Sequence, residues 1–542
     1  MKKIKIFLLF FVVTLLISSC EKNFDPKIYG SLFTTNFPKT EADYEAYMMA
    51  CYLPFSVNWG YQLASSWQHN FYVSEGGFMR LFDGTSDYCM PWVIGSWGGA
   101  WLQLTRGNYA DCILYGRGSG GNPSNYEKIR DITRFTEIIG VIEKSTVLSD
   151  TKKNNFLGEA RFLRGMMMYY LLHIYGPVPV ILDPALVGNV DAEKNLERPT
   201  LTQFTEWITA DLQFGVDNMV ATTTSKGRYT ANYARFCLMR HCLNEGSYMT
   251  GYYDKAITLY TDLKAGGFGL YTTGTTPYAD QFKNANKFNK EVIMAVSCSK
   301  TGDGSGKNGN FNPTSWYVVP NNVSKYADLA NTIPTPFVNQ GGGWGQCFNV
   351  APTYWDTYES GDVRRNVILT SYVRNNTART VYTRADIGVA WSGFILNKYP
   401  IETTDAFQST DIPLARWADV LLMYAEAVAR KNNAVPAGEA LQNVNDVRAR
   451  AGLAPLSGAA VANYAGFMSA LLAERGHEFL YEGGRKIDLI RFNMYRRNCV
   501  AIKGIAPSHQ YMPLPNYAVE EAASYGKTLV QTFERPGWAS DI

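Results

Sequence analysis

The sequence predicts a mostly α-helical protein built from stacked helix pairs and interrupted by long irregular insertions, and three stretches carry that prediction. From Gly158 to Tyr175 apolar residues repeat at helical spacing (Ala160, Leu163, Met167, Tyr170, Leu171, Ile174), while Phe162, Met166, Tyr169 and Leu172 cover the other sides. A helix apolar nearly all round belongs inside a protein. Gly176-Pro177 stops it short of the roughly 20 residues a membrane span needs. Tyr229 to Thr250 and Tyr253 to Lys264 form a helix pair with a short turn, closed by Gly266-Gly267. One pair cannot bury its own apolar face, so others must stack on it. Between Gly302 and Gln346 periodicity fails, and Gly, Asn, Thr and Pro surround Trp316, Tyr317, Tyr326, Phe337 and Trp344. A long irregular insertion is functional or disordered, and embedded aromatic rings favour function.

Composition narrows the function. At 542 residues the chain exceeds the size of a single core, about 250 to 300 residues, so sub-domains are expected. The 51 basic and 48 acidic residues leave a net charge of +3, with no basic block. That argues against a nucleic-acid footprint and against a polybasic membrane patch. The chain holds 12 Trp, 35 Tyr and 28 Phe. Most should be core, but rings also make flat apolar platforms for the C–H faces of sugars.

In chain order, Lys2, Lys3 and Lys5 precede an apolar run from Ile6 to Ile17 and the small residues Ser18-Ser19, which is a signal peptide over residues 1–19. Leu16-Ile17-Ser18-Ser19-Cys20 resembles a bacterial lipobox. The resemblance implies cleavage by signal peptidase II before Cys20 and attachment of acyl chains to that residue. Each buried methylene contributes about 0.8 kcal/mol, so two or more chains hold a protein at a bilayer. Residues 20–31 read as a lipidated tether. Thr40-x-x-Asp43 opens a helix through Cys51 that Pro54 ends. Residues 58–115 are rich in Trp and Gly up to Trp97, where the pattern turns helical, with Trp97 and Trp101 on one face. Gly116-x-Gly118-x-x-Gly121 matches a dinucleotide loop by letter only, because no strand precedes it and Pro123 follows.

A helix from Tyr126 to Lys144 leads into the apolar stretch, and Thr200-x-x-Gln203 caps the next helix, through Leu212. Beyond the insertion, Ile412 to Arg430 repeats the helical apolar pattern at Leu414, Trp417, Leu421, Tyr424, Ala425 and Val428. Arg416, Asp419, Glu426 and Arg430 are expected outside, with Glu426 and Arg430 paired at i, i+4. Apart from Cys20 there are eight cysteines, with no C-x-x-C spacing, and the five histidines are scattered, so no disulfide framework, metal site or cofactor is assigned. No zinc helix or G-x-S-x-G elbow occurs, and Glu474, Arg475, Glu478, Glu482, Arg485 and Asp488 read as a structural charge network rather than a catalytic one.

Residues 158–180, GEARFLRGMMMYYLLHIYGPVPV, resemble the signature helix of the SusD-like (RagB/SusD) outer-membrane lipoproteins. PTYWDTYESGDVRRNVIL at 352–369, IPLARWADVLLMYAEAVAR at 412–430, VNDVRARAGL at 444–453, ERGHEFLYEGGRKIDLIRF at 474–492 and YMPLPNYAV at 511–519 agree with it in order. The helix pair at 229–264 likewise resembles a tetratricopeptide hairpin. The resemblance spans about Cys20 to Val519. It implies an interrupted tetratricopeptide-like scaffold, with an N-terminal helical part over 32–300 and a C-terminal RagB/SusD part over 301–542 that carries the aromatic insertion. It further implies a surface-exposed lipoprotein of the outer membrane, not an enzyme. Such a protein captures oligosaccharides for a TonB-dependent SusC-like barrel in polysaccharide utilisation. Peptide cargo in the same family, or a lipid-anchored glycoside hydrolase, are the alternatives. Trp316, Tyr317 and Trp344 are the expected ligand-binding rings, and no catalytic residue is assigned.

Overall fold

The computed structural model describes residues 37–56, 71–72, 77–91, 98–109, 125–299, 311–323, 346–374, 376–402 and 408–541. The signal peptide, Cys20, the tether, Trp97, the 116–121 glycine pattern and Trp344 lie outside the described residues, as do the side chains of Trp101 and Trp316. The chain divides into two units, 1–47 and 48–542. In the first, helix α1 (Glu41–Cys51) opens on the expected reciprocal cap. The Asp43 N–H donates to Thr40 Oγ1 at 3.2 Å and the Thr40 N–H to Asp43 Oδ2 at 2.8 Å.

The second unit is mostly helical. α2 (Gly98–Thr105) and α3 (Ile129–Glu143) precede α4 (Asp150–Tyr175), whose N-cap is Ser149 and whose end is Gly176 at φ 78°. α4 begins eight residues before Gly158, because its first turns are polar and carry no apolar period. From Phe156 onward every residue but Arg161 is buried. α5 (Leu201–Asn218) is capped by Thr200, and α6 (Ala231–Glu245) and α7 (Tyr252–Lys264) form the expected pair. Glycines set how closely α4 and α5 approach. A Cβ on Gly165 would lie 3.0 Å from the Asp211 Cβ, and one on Gly215 would lie 3.0 Å from the Phe162 Cβ. At that separation Arg164 reaches both Asp211 oxygens, at 2.7 and 2.9 Å, so the charges of α4 are answered by α5.

Residues 265–416 interrupt the stack. They contain β1 (Val292–Val296), β2 (Ile368–Leu369), β3 (Tyr372–Val373), β4 (Val381–Tyr382), β5 (Ile395–Leu396) and β6 (Ile412–Arg416). These pair as three two-stranded antiparallel sheets, β1 with β6, β2 with β5 and β3 with β4. The helices then resume as α8 (Trp417–Asn432), α9 (Glu439–Arg450), α10 (Tyr464–Glu478), α11 (Arg485–Arg491), α12 (Tyr495–Lys503) and α13 (Asn516–Ser524). Each helix from α3 to α9 packs on the next in sequence, α7 meeting α8 across the interruption. This is the interrupted repeat scaffold that the sequence predicts.

Two expectations for residues 412–430 are corrected. The first five residues are strand rather than helix. Pro413 disfavours helical backbone at Ile412, and β1 supplies a pairing edge that no local pattern announces. The charges expected outside α8 are inside. Arg416, Asp419 and Glu426 are buried, because α6, α7, α9 and α10 all pack on α8. Each has partners: Glu291, Glu478 and Glu482 for Arg416, Arg240 and Arg475 for Asp419, Arg430 and Arg491 for Glu426. The Glu426–Arg430 pair forms as expected, at 2.7 Å.

A cluster on α4 and α6 makes stability depend on pH. Burial holds the His241 imidazole down at about 4 and the His173 imidazole well below its ordinary value. Burial alone would raise the Glu245 carboxyl, but Arg535 and the two histidines hold it at about 2. Because these histidines take up a proton more readily in the unfolded chain, stability is complete above about pH 6.5 and falls as pH drops toward 4. Each histidine contributes a slope of roughly 1.4 kcal/mol per pH unit in that window. Urea unfolding at pH 7.5 and 5.0 should show the loss, and His241→Gln should reduce it; an unchanged difference would count against this origin.

Candidate ligand-binding site

The aromatic insertion is held at both ends. Asn312 and Gln408 exchange backbone hydrogen bonds of 2.8 and 3.1 Å, and the Asn312 amide donates to the Thr410 carbonyl at 3.1 Å. A short helix, Thr314–Val318, follows and carries Trp316 and Tyr317. Tyr317 is 0% exposed. Its ring lies 5.9 Å from Phe348, and its carbonyl accepts the Phe348 N–H at 2.9 Å. Phe348 in turn sits 5.5 Å from Tyr481 and beneath the Arg80 guanidinium at 4.3 Å. Tyr317 therefore fastens the insertion to the core. Val323 bridges Arg374, Tyr372 donates to Asn322 Oδ1 at 2.8 Å, and Gln346 Oε1 accepts the Ser392 N–H at 2.9 Å. The described residues on either side of 324–345 are thus fixed by hydrogen bonds.

A neighbouring belt of rings escapes the sequence reading. The Arg365 guanidinium lies 3.8 Å over half-buried Trp355, Trp391 donates Nε1–H to the Thr383 carbonyl at 2.9 Å, and Tyr382 packs 5.4 Å from Tyr372. Two-residue strands are too short to show alternation, and the one available signal was the ring density of residues 354–391. Trp391 and Tyr372 are buried with their polar hydrogens engaged, which leaves Trp355, Arg365 and Tyr382 as the partly exposed members of the belt.

The acidic and arginine side chains of residues 474–488 are tied to partners of opposite charge. Glu474 meets Arg364 at 2.6 Å and Arg448 at 3.2 Å, Glu482 meets Arg416 at 2.6 Å and Lys398 at 2.5 Å, and Arg485 meets Asp87 at 2.8 Å. Asp488 lies 2.8 Å from both Arg475 and Arg491. This is the charge network expected from residues 474–488. Among the described residues no group of three or more His, Cys, Asp or Glu is placed to hold a metal ion. Seven cysteines, Cys51, Cys89, Cys237, Cys242, Cys298, Cys347 and Cys499, are buried free thiols.

The interrupted helical repeat is a scaffold shared with known proteins. Residues 270–533 match the SusD family, and residues 118–236 match a family described as "Starch-binding associating with outer membrane". The chain belongs to the SusD-like family. It is 27% identical over 387 residues to a SusD-like protein of Bacteroides ovatus, covering 67% of this chain and 64% of that one, which is less than two thirds of the relative. The fold matches surface glycan-binding protein A from Bacteroides fluxus with a TM-score of 0.67, at 22% identity over 92% of this chain and 100% of that one. It also matches surface glycan-binding protein A from Bacteroides thetaiotaomicron in complex with laminarihexaose, with a TM-score of 0.66, at 18% identity over 91% of this chain and 100% of that one.

Proposed function

We propose that the protein is a lipid-anchored, surface-exposed glycan-binding protein of the outer membrane, which captures oligosaccharides and delivers them to a SusC-like TonB-dependent barrel. The observation that carries the binding step is the aromatic insertion fixed at both ends by hydrogen bonds between buried backbone and amide groups. Relatives whose names record glycan binding support the cargo. The carboxylates of the 474–488 network are occupied by guanidinium groups, which favours binding over hydrolysis.

Trp316 and Trp344 are the proposed stacking rings, with Tyr317 holding the backbone beside Trp316. Trp316→Ala and Trp344→Ala should each weaken retention on a glycan affinity gel about fivefold, a stack being worth on the order of 1 kcal/mol, with the unfolding midpoint unchanged. Tyr317→Ala should lower the midpoint as well, because its ring is buried. Full retention by both tryptophan variants on a glycan that holds the parent would place the site elsewhere. For the anchor, Cys20→Ala should abolish palmitate labelling and release the protein from membranes; labelling that persists would remove Cys20 from the proposal.

A further inference from the structure

A second cleft opens on the helical scaffold, and none of its walls belongs to the insertion. It has a volume of about 310 Å³ and lies between residues 126–130, residues 190–196 and α13 with the segment after it. That volume is at the lower end of small-molecule sites and suits a saccharide of one or two residues. Tyr126 and Tyr517 form one wall, their rings edge to face at 6.5 Å. The Tyr517 hydroxyl donates to Glu127 Oε1 at 2.6 Å, and Glu127 Oε2 meets Arg130 at 3.0 Å. Tyr525 also lines the cleft; it is 45% exposed and has the Lys194 ammonium 5.3 Å from its ring centre. Glu193 and Glu521 stand on the rim, and neither has an ion-pair partner among the described residues.

We infer that this cleft is a second glycan subsite, which stacks a neutral pyranose on Tyr525 and binds its hydroxyls through Glu193 and Glu521. Three features select that ligand class. The cleft carries three carboxylates, Glu127, Glu193 and Glu521, against two cations, Arg130 and Lys194, so phosphate or uronate groups are disfavoured. Unpaired carboxylates accept charge-assisted hydrogen bonds from neutral hydroxyls. Exposed tyrosine rings offer an apolar face with a polar edge, which matches a sugar. The inference rests on the glycan-binding reading and adds a second contact on the same chain. Two contacts on one polymer raise apparent affinity without tightening either one, and Tyr525 then tunes preference for long glycans over short ones.

The test uses the purified full chain. Gels containing laminarin, starch or xylan identify a polysaccharide that retards the protein, and calorimetry with the matching hexasaccharide counts sites. The parent should bind two hexasaccharides, and Tyr525→Ala and Glu521→Gln should each reduce this toward one while leaving the unfolding midpoint unchanged. On the polymer gel each variant should bind about tenfold more weakly than the parent. One hexasaccharide per chain in the parent, with retention unaltered by Tyr525→Ala, overturns the second subsite and leaves the first intact. Complete loss of hexasaccharide binding in a Trp316→Ala, Trp344→Ala double variant also overturns it. A parent that no glycan retards overturns both readings.

Discussion

Glu478→Ala is expected to leave little folded protein at 37 °C, with a loss of about 4 kcal/mol or more in urea unfolding at lower temperature. Glu478 is 0% exposed. One of its oxygens accepts from Arg416 at 2.9 Å and also from Arg450, and the other lies 3.3 Å from Arg364. Burial alone would raise its carboxyl, but the three guanidiniums hold it well below the ordinary range. Removing the carboxylate leaves those cations in a dry interior with Glu291, Glu474, Glu482 and Asp362 as their remaining counter-charges. Breaking a buried pair typically costs 3–5 kcal/mol, against a total stability of about 5–15 kcal/mol. Asp356→Asn breaks the exposed bidentate pair with Arg384 and should leave the midpoint unchanged, since such pairs are screened by solvent. Equal effects from the two variants would show that burial does not decide the worth of these charges.

Gly483→Ala should destabilise by about 3 kcal/mol, whereas Gly484→Ala should be close to silent. Gly483 has φ +80°, and a Cβ there would fall 1.7 Å from the Phe78 Cδ2. Its N–H donates to Asp83 Oδ2 at 2.6 Å, so the backbone cannot retreat without giving up a buried hydrogen bond. The left-handed conformation costs a non-glycine residue about 1 kcal/mol, and forcing Phe78 aside adds roughly 1–3 kcal/mol. Gly484 has φ −124°, and nothing lies within 4 Å of its Cβ direction. Paired unfolding curves of the two variants decide the matter; a silent Gly483→Ala would mean that the 78–83 segment yields freely.

What could be read in advance follows from how far each signal travels along the chain. Caps act over three residues, so Thr40 with Asp43 and Thr200 with Gln203 were legible and form as expected. The apolar surround of α4 and the 229–264 pair were legible for the same reason. The burial of Arg416 was not, because its partners Glu291, Glu478 and Glu482 lie 125, 62 and 66 residues away. Pairing of β6 with β1 depends likewise on a distant edge. In the insertion, composition revealed that residues 302–346 differ from the scaffold. It could not reveal that Tyr317 faces Phe348, since ring burial is decided by the wall it meets and that wall includes Arg80 and Tyr481.

The bonds between the 83–87 segment and the region after residue 480 set the order in which the chain can mature. Asp83 receives the N–H groups of Gly483 and Arg485, Asp87 pairs with the Arg485 side chain, and Lys503 donates to the carbonyl of Ser86 at 2.7 Å. These partners are about 400 residues apart. No N-terminal half can be completed while the rest of the chain is still being made, and closing so large a loop is slow. Until α11 and α12 arrive, Asp83 and Asp87 remain solvated and the surrounding rings stay uncovered. The last-made quarter of the chain thus acts as the key that locks the 83–87 segment in place.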